Sequence, residues 1–461
     1  KFDKYLTVFI MKTAFILLVS GLLMGGFVQA QSPNALDSYV RQGLERNIVV
    51  QQKSISLERA MLSLKMANGM FAPSVSLLGN FTSGEGGRSI SFPIGDIMNP
   101  VYTTLNQLTA SDQFPQLENV NTNFFPRNFY DVRARTSMPL LNTDLIYNKK
   151  IRGQQVLLQE YEVQVYQREL VRNIKVAYFN YLSAREGVVI YQSALTRAQE
   201  GKRVNESLLA NGKGLPAYVL RSQGEIENIK AQLVDAERQV ENARLYFNFL
   251  LNREGTEEIS TDFVPELSTV TTLLAEDAAP TQREELLQIK TAQELNQQVL
   301  KMNKLFWAPR VSGFVDLGAQ AENLEYSSKA NYYLYGFQLE MPLFAGFTNR
   351  HKISQSRLDV RNAELNVDQV NRQLRLSTEV SRNALVSAFQ NYQSALKQLE
   401  AAQSYQRLIE KGYKEGVNTF IEAVDARNQL TSAELLVRVN LYRVLVAEAS
   451  LERETAAYPL N

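Results

Sequence analysis

Cysteine is absent from this sequence of 461 residues, and histidine occurs once, at His351. Without cysteine the chain has no disulfide, iron–sulfur cluster, thiolate zinc site or lipid anchor on an N-terminal cysteine. A single imidazole is too few for a histidine-based zinc hydrolase, and the polar neighbours of His351 are typical of a solvated surface. The sequence therefore predicts that the protein is not an enzyme and has no metal and no cofactor.

An excess of charge of one sign is also missing, because 49 basic side chains stand against 48 acidic ones. A nucleic-acid-binding protein would normally carry a basic surplus, so nucleic acid is not expected as a partner. Beyond the N-terminal region, no run of 18 apolar residues occurs. If the mature protein lies in a membrane, it must do so as a β-barrel.

The N-terminal region has the features of an export signal. Met11 and Lys12 precede an apolar run over 14–28, and Ala30 ends a small-residue cleavage site. We therefore expect residues 1–30 to be upstream residues and a signal peptide. A membrane anchor is the alternative interpretation, although the run is short for one.

The remaining chain contains two copies of one pattern. The segment 71–76, an aromatic residue followed by Ala-Pro-Ser-Val-Ser, recurs with one change at 307–312, and Met-Pro-Leu at 138–140 recurs at 341–343. The first copy carries an additional segment between these landmarks. Each copy reads as helix, strand, loop, strand, very long helix, sharp turn and helix. The sequence therefore predicts an internal twofold repeat.

The predicted strands alternate apolar and polar residues with a period of two. From Tyr130 to Met138 one face is mostly apolar and the other polar, and Tyr333 to Met341 repeat the pattern. The partner strands run from Val75 to Phe81 and from Val311 to Leu317. Such lengths suit a membrane β-barrel, although a soluble sandwich would alternate as well.

Two helices of unusual length follow the strands, from Asp144 to about Ala210 and from Thr348 to about Gly412. At 1.5 Å per residue each spans roughly 100 Å, which no compact core needs. Their apolar residues recur at spacings of three and four, with alanine at alternate positions, as in a coiled-coil seam. The surface between is polar and suits an aqueous compartment.

Together, the signal peptide, the duplicated halves, the aromatic-Ala-Pro strand starts, the Met-Pro-Leu strand ends and the glycine-containing helix turns resemble the TolC-like outer-membrane efflux proteins. The likeness covers the chain from about Leu36 to Thr455. One departure is Asn47, which is followed by Ile48, where the family often has Asn-Pro. This difference affects only the local start of the first helix.

The predicted strands also require an oligomer, because four strands cannot close a barrel of at least about eight. The resemblance implies a homotrimer in which a 12-stranded membrane barrel joins a periplasmic α-barrel of coiled-coil helices. It further implies partnership with outer-membrane lipid, a periplasmic adaptor protein and, through the adaptor, an inner-membrane pump. The expected location is the outer membrane of a Gram-negative-type cell, extending into the periplasm.

The expected organisation is a first structural repeat over 31–254, an equatorial connector over 255–280 and a second repeat over 281–461. The topology of the family implies that the loop from Ser83 to Asn128 faces outside. A short helix from Met98 to Leu108 is expected within it. The loop either covers the barrel mouth or is a tolerated surface insertion.

The two sharp helix turns are the expected periplasmic tips, although a plain helical hairpin explains the turns equally well. The resemblance implies adaptor contact at Gly212, Gly214, Leu215, Pro216, Gly416, Val417 and Thr419. It implies a pore constriction or gate at Glu422, Asp425, Tyr413, Asn418 and Tyr218. A capping box and the helix dipole also account for the acidic residues. At the membrane interface, an aromatic belt of Phe71, Phe306 and Trp307 is expected, with core packing as the alternative.

The predicted function is a passive exit duct of a tripartite efflux or type I secretion system. Its cargo would be small molecules or a secreted polypeptide, and its partners would supply the energy. The alternative is a structural or adhesive coiled-coil protein of the envelope, without a pore.

Overall fold

The computed structural model describes residues 35–125, 127–265, 267 and 283–460. The predicted signal peptide and the connector residues 268–280 lie outside the described residues. The elements in chain order are α1 (Ala35–Arg46), α2 (Ile48–Gly69), β1 (Ser74–Thr82), β2 (Ser89–Phe92), α3 (Ile94–Thr109), β3 (Val120–Asn123), β4 (Phe129–Leu141), α4 (Thr143–Ala210), α5 (Pro216–Leu250), α6 (Glu284–Lys304), β5 (Arg310–Ala321), β6 (Asn331–Glu340), α7 (Thr348–Lys414) and α8 (Phe420–Thr455).

The long helices are confirmed as α4 and α7, each within two residues of the expected bounds. Helix-favouring residues fill both, and proline is absent from them. The apolar residues that recur along α7 include Leu385, Ala395 and Ala402, and all three are buried. Leu385 packs with Val444 and Leu451 of α8, so the seam joins the two arms of the hairpin.

The main sheet has four antiparallel strands in the order β1-β4-β5-β6. Leu77, Ala134, Leu317 and Tyr333 lie across from one another in its register, and they belong to one exposed, largely apolar face. The opposite face is polar. There Asp316 receives two hydrogen bonds from the Arg135 guanidinium, at 2.7 and 2.6 Å. The predicted alternation is confirmed, except that β6 ends one residue before Met341.

The loop expected between Ser83 and Asn128 contains more structure than the sequence indicated. The helix expected from Met98 extends over α3, and β2 and β3 pair into a two-stranded antiparallel sheet. These strands of four residues are too short to give a readable alternation. The start of α3 was missed because Pro93 and Gly95 resemble loop residues.

The described chain divides into two compact units. The helical unit comprises the described part of Lys1–Lys53 with Val163–Arg283 and Arg372–Asn461, and the sheet unit comprises Ser54–Glu162 and Glu284–Asn371. Apolar side chains from α1, α4, α5 and α8 form the main core of the helical unit. Among the described residues, no helix combines the length and apolar character needed to cross a membrane.

Candidate functional site

The two helix turns of the helical unit have the same backbone geometry. Gly212 and Gly416 adopt left-handed conformations, with φ of 68° and 76°. In each turn the N–H of the residue after this glycine donates to the carbonyl five residues earlier. The distance is 2.9 Å from Lys213 to Leu208 and 2.8 Å from Val417 to Gly412. This is the Schellman motif, in which glycine avoids the strain that a Cβ would cause. Glycine placement therefore sets both turns.

Each following helix begins with its own start signal. Pro216 occupies the first turn of α5, where its missing N–H is of no consequence. At α8, Thr419 is the N-cap and forms the predicted capping box with Glu422. Leu215 and Val417 are exposed between these structured ends. Gly214 lies so close to the end of α4 that an added Cβ would be 2.8 Å from a backbone nitrogen there.

A buried polar chain crosses from α7 to α4 and α5 just behind the turns. The phenol of Tyr413 donates to the side-chain oxygen of Asn205, whose amide donates to Ser222 Oγ at 2.7 Å. Ser222 in turn donates to the Tyr218 carbonyl at 2.9 Å. Sequence reasoning had selected Tyr413 but missed Asn205 and Ser222. The signal that could have identified Asn205 is its position seven residues after the buried Ala198, on the apolar seam of α4.

Aromatic rings pack beside this chain. The ring of Tyr218 stacks on Phe420 with centroids 4.9 Å apart, and Tyr413 packs on Phe420 at a tilt. Burial, with the neighbouring phenol of Tyr218, raises the pKa of Tyr413. The phenol therefore keeps its proton and acts as a hydrogen-bond donor. Tyr218, another of the predicted gate residues, contributes ring stacking here.

The two acidic candidates are exposed one turn apart on α8. Glu422 accepts a hydrogen bond of 2.7 Å from the Thr419 N–H and one of 3.3 Å from the Asn418 amide. Hydrogen bonding by the Thr419 backbone, and then by the Asn418 and Thr419 side chains, holds the pKa of Glu422 below its usual range. The Asp425 carboxylate accepts a hydrogen bond of 2.7 Å from the side-chain amide of Gln429. Both side chains are exposed to solvent.

A second connection between the hairpins lies further along α8. Arg427 donates to both carboxylate oxygens of Glu225 on α5, at 3.3 and 3.0 Å. Its guanidinium lies against Gly201 of α4, where an added Cβ would be 2.9 Å from a guanidinium nitrogen. Because each partner is an ordinary charged residue about 200 positions from the other, spacing gave no indication of the pair.

The aromatic candidates of the sheet unit lie where helices lead into strands. Phe71 precedes β1, and Phe306 and Trp307 precede β5. Trp307 is exposed, whereas Phe71 and Phe306 are half-buried. Since β1 and β5 begin at the same end of the antiparallel sheet, these aromatics share that end.

Residues 277–456 match the family model described as outer membrane efflux protein. Over this region the chain is similar to the outer membrane efflux protein family. The predicted resemblance is thereby confirmed. The family is one of channel proteins, and the protein is accordingly an outer-membrane protein that extends into the periplasm. A comparison with curated protein sequences finds no match.

Solved outer-membrane channels share the fold. The channel OprN is 17% identical with a TM-score of 0.74, over 92% of this chain and 90% of its own. The Neisseria gonorrhoeae MtrE channel in its open state is 17% identical with a TM-score of 0.71, over 92% and 89%. The Campylobacter jejuni CmeC channel is 14% identical with a TM-score of 0.71, over 91% and 85%. At such identities the likeness concerns the fold.

Proposed function

We propose that three copies of this chain form the outer-membrane exit duct of a tripartite efflux system. In each copy, the repeats over 31–254 and 281–461 each contribute two strands to a 12-stranded barrel. The long helices line a periplasmic tunnel. A periplasmic adaptor binds the helix turns and connects the duct to an inner-membrane pump. The same duct would serve a type I secretion system with a polypeptide cargo.

The main sheet carries this proposal. Its outer strands, β1 and β6, each pair along one side only among the described residues. Unpaired backbone groups are intolerable in lipid, so each edge needs a strand from another copy. The exposed apolar face suits lipid, whereas the paired charges of Arg135 and Asp316 suit a water-filled interior.

The helix turns support the proposed gate. Tyr413 bound to Asn205 holds the α7–α8 hairpin against the α4–α5 hairpin within one copy. Three copies would bring the Glu422 and Asp425 carboxylates together at a constriction, where such rings attract cations. Exposed Leu215 and Val417 offer the adaptor apolar contacts. Opening then requires the hairpins to separate.

Mass measurement of the detergent-extracted protein, followed by conductance in a planar lipid bilayer, tests the proposal. A trimer is expected, with a conductance whose preference for cations falls when Glu422→Gln and Asp425→Asn are combined. A monomer without conductance, even in this double variant, would overturn the proposal. It would favour the envelope coiled-coil protein instead.

A further inference from the structure

Helix α3, in the segment between β1 and β4, carries an uncovered apolar stripe. Ile94, Ile97, Val101, Thr104 and Leu108 recur at alternating spacings of three and four residues, so they lie along one side of the helix. Ile97 is 64% exposed and Leu108 is 78% exposed. An apolar stripe of this kind on an outward segment normally meets another surface.

The other side of α3 is already held by an unusual set of asparagine contacts. Asn99 donates to the Leu117 carbonyl at 2.9 Å and accepts from the Leu117 N–H at 2.7 Å. Asn106 makes the same pair of bonds with Phe114, at 2.8 and 3.0 Å. Each side-chain amide thus binds the backbone N–H and carbonyl of one residue in the segment 114–117, as a neighbouring strand would. These contacts hold one side of α3 against this segment, and the apolar stripe lies on the other side.

A third asparagine contact secures the start of the helix. Asn119 accepts from the Asp96 N–H at 3.2 Å and donates to the Asp96 carboxylate at 3.0 Å. Gly95 approaches the same segment so closely that an added Cβ would be 2.3 Å from the Leu117 carbonyl oxygen. The segment between β1 and β4, called the insertion below, therefore has a defined fold, because a loose surface loop would not need such contacts.

The stripe has the pattern of a helix that associates with copies of itself. Ile94 and Ile97 occupy successive a and d positions of a heptad, and isoleucine at both positions favours three or more strands over two. Asp96 is the only charged residue in α3, and it lies off the stripe. Identical uncharged stripes therefore meet without repulsion.

The base of the insertion is fixed to the main sheet. Ser83 and Asn128, which flank it, are hydrogen-bonded at 3.0 Å, and the Asn128 amide donates to Asn323 between β5 and β6 at 3.3 Å. The edge strand β1 leads directly into the insertion. A copy that paired with this edge would therefore bring a second α3 close, at high effective concentration.

We infer that the α3 stripe of each copy packs against the same stripe of the other copies, so that three helices cover the outer mouth of the duct. The partner is a second and a third copy of this chain. This inference rests on the proposed trimer. It assigns the insertion a role in closing the mouth and in holding the copies together.

Disulfide trapping tests the inference in the cysteine-free chain. Val101→Cys places a thiol on the stripe, and Gln107→Cys places a matched thiol on an exposed side of α3 away from it. The purified protein is oxidised with copper phenanthroline after its mass is measured. A disulfide needs Cα atoms within about 7 Å, so Val101→Cys should cross-link at least about ten times faster than Gln107→Cys. With three thiols per trimer, about one chain in three should stay unlinked.

Equal cross-linking rates in a confirmed trimer would overturn the inference and leave the proposed function standing. A monomer by mass would overturn both. The remaining possibility is that lipid covers the stripe. A bimane probe attached to the thiol of the Val101→Cys variant tests this possibility. Strong quenching of this probe by spin-labelled lipid would overturn the inference, whereas weak quenching together with rapid cross-linking supports it.

Discussion

Arg427 of α8 and Glu225 of α5 form an ion pair in which the two side chains are only 6% and 7% exposed. Burying a charged side chain costs free energy because the charge loses its hydration. An oppositely charged partner offsets this cost, so each of the two side chains depends on the other. The pair joins the two hairpins behind the polar chain of Tyr413. The pair therefore couples the stability of the helical unit to the packing of α8 against α5.

We expect Arg427→Met to destabilise the helical unit by about 3–5 kcal/mol, because it leaves Glu225 buried and uncompensated. The double variant with Glu225→Met should recover most of that loss. Lys397→Met is the control, because the Lys397–Glu400 pair is largely exposed. Its effect should be at most about 1 kcal/mol. Denaturant unfolding in detergent measures all four proteins, and equal losses for Arg427→Met and Lys397→Met would contradict the expectation.

Tyr413→Phe removes the hydrogen bond to Asn205 and keeps the ring. We expect the variant to open more readily, giving a several-fold higher bilayer conductance, because the lost hydrogen bond leaves the side-chain carbonyl oxygen of Asn205 buried and unsatisfied. Tyr405→Phe, also on α7 but more exposed, should leave the conductance unchanged. A wild-type conductance in Tyr413→Phe would show that this bond does not hold the hairpins closed.

Asp425→Asn should lower the cation-over-anion permeability ratio several-fold, and adding Glu422→Gln should lower it further, because rings of carboxylates attract cations. The reversal potential across a salt gradient measures this ratio. Glu415→Gln, at the exposed turn before α8, serves as a charge-matched control. If all three variants changed the ratio equally, the effect would reflect total charge and not a constriction.

The pH dependence of this selectivity should follow Glu422, whose pKa is lowered. Its carboxylate and the capping box stabilise α8 fully above the unfolded-state pKa, and this contribution is lost as the pH falls through the folded-state pKa. Thr419→Ala removes the hydroxyl of the capping box and should move the loss of selectivity to higher pH. It should also cost about 1 kcal/mol of stability. An unchanged pH midpoint would contradict the role of Thr419.

Phe337 and Gln338 are neighbours on β6 that face opposite sides of the sheet, and Phe337 is 77% exposed. In a lipid-facing position, Phe337→Arg should cost about 2–4 kcal/mol near the bilayer centre, whereas Gln338→Arg on the polar face should cost little. Urea titration of refolding into lipid vesicles compares the two variants. Similar costs would argue that the apolar face does not lie in lipid.

Much of the fold could be predicted because its signals are local. The seam of α7 and the alternation of β4 are periodic patterns, and a period directly reflects the geometry of a helix or a strand. The capping box of Thr419 and the turn at Gly416 are equally local. The strands β2 and β3 were missed because they are too short to show a period.

The candidate site was only half predictable. Tyr413 and Glu422 were selected through family resemblance and turn position, and the structure shows their hydrogen bonds. Asn205 and the Arg427–Glu225 pair were missed. Nothing in the separation of α4, α5 and α8 along the chain indicates which faces of these helices meet.

By itself, the sequence determined the lengths of the long helices, the two glycine turns and the alternation of the strands, because each depends on neighbours within a few residues. Only the tertiary structure decided that Tyr413 meets Asn205, that Arg427 is buried against Glu225 and that one side of α3 stays uncovered. Such contacts depend on how distant helices and loops pack, and many sequences with the same local periodicity are compatible with different packings.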